Sequence, residues 1–383
     1  MDINSDEKVL LLGAGFSKNF GAPLANEMWY LIFNHKEIQA HSRIRELMLH
    51  NFDYEFIYDS VLEGFEDKEG LFGKNCSFIR FTDEEKDAIR EATNFAYEYI
   101  SEVFTQFMKY LENSNKEKMR QKEILTGVSQ FISLFHQVYY FATADGITFC
   151  TADGVPFGLY ERSFIFTLNQ DSFFEDCYNK LCTKKGYPEV CIPGIKEEQD
   201  KSQLIKLPTK DELYGKDILS DKKLLLLKLH GSYNWVGHDN YRAMVIGKEK
   251  KDKILKEPLL SLYFDIFKKV LSQKQRRLLI IGYSFSDDHI NRVISNAVKN
   301  HELKIYVLSP GSIEELKKNI KELNKKILEN SDNQIVSEKH KNLTIIYNGI
   351  SGYFPYTEIL TGDPILDKPI KEYFKSVFFD NYK

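Results

Sequence analysis

Five short, nearly continuous apolar runs fix the fold class of this chain. They are residues 8–12 (KVLLL), 164–167 (FIFT), 224–229 (LLLLKL), 278–281 (LLII) and 304–308 (KIYVL). A strand with one wet face alternates apolar and polar residues, whereas a strand covered on both faces does not. Each run ends in a polar or glycine-bearing turn: Gly13-Ala14-Gly15, Asn169-Gln170-Asp171, His230-Gly231-Ser232, Gly282-Tyr283-Ser284 and Ser309-Pro310-Gly311. Helical patterns lie between them, as over 287–299. The pattern predicts an α/β fold with a parallel sheet whose ligands sit beyond the carboxyl ends of its strands.

Residues 35–155 have a different texture. Apolar residues recur there at three- and four-residue spacing with charges between them, which predicts a helical block inserted after one strand–turn–helix unit. The expected organisation is a core of 1–34 and 156–310, an inserted helical module at 35–155, and a C-terminal extension at 311–383. The extension reads as a charged helix (IEELKKNIKELNKKILEN), then a strand at Leu343–Tyr347 and an aromatic tail. The KEKKDK stretch at 248–253 reads as a solvated loop or helix end.

Composition narrows the function. Of 383 residues, 52 are Lys or Arg and 56 are Asp or Glu, a net charge of −4, which argues against direct nucleic-acid binding. No apolar stretch reaches the roughly 18 residues of a membrane span. The acidic start, MDINSDEK, does not resemble a secretory signal. Five cysteines, an odd number in a long chain, point away from a disulfide framework and toward a reducing cytoplasm.

Four turns carry candidate chemistry. Gly13-Ala14-Gly15-Phe16-Ser17, followed by Gly21-Ala22-Pro23, is a strand-to-helix turn where backbone N–H groups can approach a pyrophosphate. It lacks the Gly-Lys-Ser/Thr ending of a Walker loop, and Lys18 stands where a third glycine would complete G-x-G-x-x-G. A plain tight turn is the alternative reading. Asn169 and Asp171 can hold an amide, a ribose hydroxyl or a water, or can simply form a turn. His230 before Gly231 can act as a base, bond a ribose, or be a satisfied core histidine. In Gly282-Tyr283-Ser284-Phe285-Ser286-Asp287-Asp288-His289, Gly282 and Ser284 suit phosphate or ribose contacts. Asp287 or Asp288 suits a helix N-cap.

The order of these turns resembles the sirtuin signature: Gly13-Ala14-Gly15-x-Ser17 with Gly21-x-Pro23, then Thr167-x-Asn169-x-Asp171, then His230-Gly231, then Gly282-x-Ser284. The fuller forms KLHGSYNW and GYSFSDDHIN resemble divergent sirtuin-like domains of bacterial anti-phage defence. The resemblance implies a Rossmann-like sheet binding NAD+ as substrate, with Asn169 and His230 as the catalytic pair. It puts Gly13, Ala14, Gly15, Ser17 and Pro23 around the pyrophosphate and nicotinamide pocket, and Asp171 near the nicotinamide carboxamide. Gly282 and Ser284 fall along the adenosine half, and Asp287 is a further candidate cofactor-binding residue.

Three departures from classical sirtuins bear on the reaction. Leu168 stands where the family has Gln, and Arg is missing after Gly21-x-Pro23. Cys177, Cys182 and Cys191 are spaced C-x4-C-x8-C without the C-x-x-C pairs of a zinc ribbon, so no metal is expected. These losses weaken peptide deacylation more than NAD+ cleavage. The implied function is an NAD+ glycohydrolase giving nicotinamide and ADP-ribose, a toxic effector of abortive infection. The alternatives are an NAD+-dependent lysine deacylase and a non-catalytic NAD+ or ADP-ribose sensor. The chain leaves no length for a further large sensor domain. A homo-oligomer and a separate, operon-encoded partner are expected, and the resemblance implies a HerA-type ATPase first and a short Argonaute second.

Overall fold

The apolar runs become the strands of one parallel sheet. The computed structural model describes residues 5–18, 21–73, 78–114, 162–176, 190–195, 204–213, 218–219, 224–309, 311–329 and 334–355. In chain order its elements begin with β1 (Ser5–Leu12), α1 (Ala14–Lys18), α2 (Ala25–Phe33), α3 (Lys36–Ala40), α4 (Ser42–His50) and α5 (Tyr54–Glu63). A short antiparallel pair follows, β2 (Phe65–Glu66) and β3 (Phe78–Ile79), and then the long α6 (Asp83–Ser114). Next come β4 (Arg162–Thr167), β5 (Val190–Cys191), β6 (Ile205–Lys206), α7 (Lys210–Leu213), β7 (Leu224–Lys228), β8 (Gly231–Val236) and β9 (Arg242–Met244). The chain continues through α8 (Lys250–Lys256), α9 (Pro258–Leu271), β10 (Arg277–Ile281), α10 (Asp288–His301) and β11 (Lys304–Ser309). The last described elements are α11 (Ile313–Glu329), α12 (Gln334–Asn348) and β12 (Ile350–Pro355).

Seven strands pair in the order β12-β11-β10-β1-β4-β7-β5, every pair parallel. From β1 the chain adds β4 and then β7 on one side, and later returns to add β10, β11 and β12 on the other. The order therefore reverses between β1 and β10, which is where an open α/β sheet leaves a crevice for a ligand.

Alternate residues of each strand feed two cores. Leu10, Leu12, Ile165, Leu226, Leu279 and Ile281 share one core with Met28, Ile57, Ile89, Ala96 and Ile100 of the helical block. Val9, Leu11, Phe166, Leu227, Ile280 and Val307 share the other with Phe267 of α9 and Ile294 of α10. The helical block thus lies directly on one face of the sheet. In α6, Ala88, Ile89, Ala92, Ala96, Tyr97, Ile100 and Phe104 are buried, the three- and four-residue spacing of a single stripe. A reciprocal capping box starts this helix. Glu85 N donates to Thr82 Oγ1 at 3.3 Å, and Thr82 N to Glu85 Oε2 at 2.8 Å.

Residues 343–347, expected as a strand, are instead the end of α12. The run is rich in β-branched residues, but a short apolar run does not distinguish a strand from a buried helix turn. Here Ile346 is fully buried, with Leu343 and Tyr347 packed at helical spacing against the second core. The strand comes later, at β12, so residues past 311 supply an edge of the main sheet. Residues 74–77 and 115–155 of the expected helical block lie outside the described residues. No helix among the described residues is long and apolar enough to cross a membrane.

Candidate active site

The crevice between β1 and β10 is closed by backbone meeting backbone. Gly13 N donates to Ile281 O at 2.9 Å, and Gly15 N to Gly282 O at 2.8 Å. A Cβ on Gly282 would stand 2.1 Å from Phe16 N, and its φ of +66° lies in the left-handed region. The first and fourth turns thus need glycine to touch each other, whatever else they bind. The amides of Gly13 and Gly15, expected to face a pyrophosphate, are committed to β10 and its turn.

The second turn is wired to the first. Asn169 Nδ2 donates to Ser17 Oγ at 2.9 Å, and Ser17 also hydrogen-bonds the Asp171 side chain. Ser17 is 2% exposed, so one buried hydroxyl accepts from the amide and donates to the carboxylate. Burial raises the Asp171 carboxyl, with Lys228 opposing the shift. Lys228, at the end of β7, is wholly buried. Its ammonium donates to the Asp171 main-chain oxygen and pairs with Glu175 Oε1 at 2.7 Å. The neighbouring Gln170 spans three elements. Its Nε2 donates to Val245 O at 3.0 Å, its Oε1 accepts from the Tyr97 hydroxyl of α6, and its main-chain oxygen accepts from Ser232 and Tyr233.

His230 follows β7 and is 3% exposed. Gly231 turns the chain at once, with φ of +74°, and an added Cβ would lie 1.8 Å from Ala243 O. His230 Nε2 lies 3.0 Å from His289 Nε2, so one ring donates N–H to the other. Burial depresses His230 to about 3, against the pull of Asp287, and His289 to about 4 for the same reason. Both rings are neutral at neutral pH.

Asp287 occupies the N-cap position of α10, yet its side chain makes no cap bond. Its Oδ1 pairs instead with Lys250 at 2.8 Å, and Lys250 pairs also with Glu55 of α5 at 2.8 Å. Burial works against the Lys250 charge, but the two carboxylates outweigh it and raise the ammonium. Burial raises Glu55. It also works to raise Asp287, but His230 and Lys250 outweigh it and leave that carboxyl lowered. Asp287 therefore carries the firmer charge.

All these turns line one cavity of about 750 Å3, within the range of small-molecule and cofactor sites. Its wall includes every residue expected at the site: Gly13, Ala14, Gly15, Ser17, Pro23, Asn169, Asp171, His230, Gly282, Ser284 and Asp287. It also includes Phe52, Tyr54, Glu55, Tyr97 and Ile100 from the helical block, and Lys250 from the KEKKDK stretch. Sequence reasoning missed those, together with Gln170, Lys228 and His289. Only the last three lay inside motifs already singled out.

Residues 163–334 match the family model of the SIR2-like domain, which supports a sirtuin-like domain, NAD-related, in this chain. No curated protein matches the chain at a significant level. Of the cysteines weighed for a zinc ribbon, Cys191 is a buried residue of β5, whereas Cys177 and Cys182 lie outside the described residues.

Proposed function

We propose that this protein is an NAD+ glycohydrolase, which splits NAD+ into nicotinamide and ADP-ribose with water as the acceptor. The observation that carries this reading is the convergence of the buried Asn169 and His230 on one cavity at the sheet's switch point. The match to the SIR2-like domain supports NAD+ as the dinucleotide held there.

The chemistry asks little of the protein beyond placement. The C1′–N1 bond breaks with its electron pair going to the ring nitrogen, so nicotinamide leaves neutral. The ribose passes through an oxocarbenium-like state, as in other glycoside cleavages. Asn169 has its Nδ2 tied to Ser17, which leaves Oδ1 to accept from a water or a ribose hydroxyl. Burial holds the His230 ring at about 3 and so keeps it neutral and weakly basic; it orients a ribose hydroxyl and relays to solvent the proton that the attacking water loses as its oxygen bonds C1′. Orientation can lower such a barrier by several kcal/mol, and a placed base adds about 10²–10⁴-fold. Leu168 donates its N–H to Leu12 O at 2.9 Å and is buried, so it extends the strand and offers no polar group to a peptide substrate.

The biological part of this reading rests on the resemblance to defence-associated domains. The protein serves as a toxic effector in the cytoplasm, assembled as a homo-oligomer, and is held off until an operon-encoded partner of the HerA-type ATPase or short-Argonaute class releases it.

The test is NAD+ turnover followed by mass spectrometry, with and without the neighbouring gene product. Nicotinamide and ADP-ribose in equal amounts are expected without any acyl-peptide. Asn169→Ala and His230→Ala are each expected to slow nicotinamide release at least about 100-fold, with melting temperature kept. Formation of O-acyl-ADP-ribose that depends on an acylated lysine peptide would establish deacylation instead. Tight NAD+ binding without turnover under either condition would establish a sensor.

A further inference from the structure

His230 and Asp287 line the cavity, and with His289 they bring two imidazoles and a carboxylate together. The ligand-capable atoms of His230, His289 and Asp287 all lie within 4.8 Å of one another. Each comes from a well-held piece of backbone. His230 sits between β7 and β8, its carbonyl accepting from Val245 N at 3.0 Å. Asp287 and His289 belong to the first turn of α10, and the His289 ring packs against Phe264 with centroids 5.9 Å apart.

We infer that this trio is a binding site for a zinc-class divalent cation, and that the bound ion closes the pocket to NAD+ by occupying His230. The closing effect rests on the glycohydrolase reading; the binding itself does not.

Geometry and donor chemistry both point this way. Two nitrogens on one tetrahedral zinc, each at about 2.0–2.1 Å, stand about 3.3 Å apart. The two Nε2 atoms are already at 3.0 Å, so a few tenths of an ångström of widening admits the ion. Imidazole donors select zinc, copper or nickel over magnesium and calcium, which prefer all-oxygen sets. Each imidazole offers its Nε2 lone pair once any proton there sits on Nδ1. The N–H now shared between them moves to an Nδ1, so the protein's net charge is unchanged.

Lys250 is the obvious competitor for Asp287, since it already supplies a cation there at 2.8 Å. However, Lys250 holds Glu55 at the same distance and stays paired when Asp287 turns to the ion. With one lysine against two carboxylates, the cluster carries a formal charge of −1 before any metal binds. The cavity beside His230 and Asp287 leaves a fourth position for water, as in open zinc sites. That water and the ion would then stand where the ribose must sit.

Cobalt(II) reports on such a site through its visible absorption. Metal-free full-length protein titrated with Co2+ is expected to show a band that saturates at one ion per chain and that Zn2+ abolishes. The saturable band is expected to be lost in His289→Gln and in Asp287→Asn, and to stay in His238→Gln. His238 is a surface imidazole paired with Glu257 at 2.9 Å, so it asks whether any His–carboxylate pair suffices. Circular dichroism on the same samples shows which variants are folded, and either of the first two variants decides the matter. No saturable band in the native chain, or a band that survives in a folded Asp287→Asn or His289→Gln, overturns the site. Loss of the band in His238→Gln overturns it too. Zn2+ is further expected to stop nicotinamide release, and EDTA to restore it. Turnover that is indifferent to saturating Zn2+ overturns the closing role. A chain that binds Co2+ at this trio but never releases nicotinamide keeps the site and removes the glycohydrolase reading.

Discussion

Ser17 shows how much a single hydroxyl can organise. It joins Asn169 to Asp171, and through Asp171 reaches the buried Lys228. Ser17→Ala removes both bonds and leaves two buried polar groups short of a partner, a cost of about 1–3 kcal/mol. The expected outcome is a clear fall in kcat for nicotinamide release and a modest loss of thermal stability, read by steady-state kinetics and calorimetry. Gly282→Ala belongs to another class, because the clash is with the main chain of Phe16 at a positive φ. Its expected cost exceeds about 4 kcal/mol, so the variant should be largely insoluble or melt far below the parent. The glycines were legible in the sequence as a pair of turns at strand ends. Their mutual contact was not, since spacing says nothing about which distant loop a glycine faces. Asp287 carries a similar lesson. It takes the N-cap position that its residue type suggests, but the nearby Lys250 wins its carboxylate.

Among the elements, β7 brings a buried lysine and His230 to the site at its end. Lys228 sits among five fully buried strand residues, and its charge is tolerated because Glu175 and the Asp171 carbonyl receive it. Lys228→Met would strand Glu175 without its cation at a cost of about 3–5 kcal/mol. Chemical denaturation is expected to show that loss, and Lys228→Met/Glu175→Leu to recover much of it. If the single variant is as stable as the parent, the pair does not hold the Asp171 turn. A lysine inside an apolar run reads as an interruption in the sequence; only its partner, 53 residues earlier, explains it. α12 shows the reverse difficulty. Leu343-Thr344-Ile345-Ile346-Tyr347 has strand-like residues, yet the second core takes it as a helix face, and the neighbouring β12 completes the sheet.

At the scale of the whole molecule, the sheet and its helical block build the pocket jointly. The parallel sheet and the four turns were readable because buried parallel strands leave continuous apolar runs and place their loops at one edge. The helical wall was not readable. Phe52, Tyr54, Glu55 and Tyr97 lie far from the motifs in sequence, and their spacing records only the amphipathic faces of helices. Glu55 bonds Lys250, and Asp59 pairs with Lys253 and accepts from Lys248 N at 3.1 Å, so α5 and α8 are tied across the cavity mouth. Saturating NAD+ is therefore expected to slow amide hydrogen exchange in α5, in α8 and in the 282–288 turn together. Protection confined to the turn would mean that the helical block takes no part in binding. The most direct test of the central claim, one dinucleotide pocket at the β1/β10 switch point, is a crystal structure of His230→Ala soaked with NAD+. The nicotinamide riboside is expected between Asn169 and the vacated position 230, with the adenosine half along Gly282 and Ser284. NAD+ lodged instead in the separate 470 Å3 pocket lined by Arg90, Asn94 and Tyr241, or absent from the main cavity at saturation, would contradict the account.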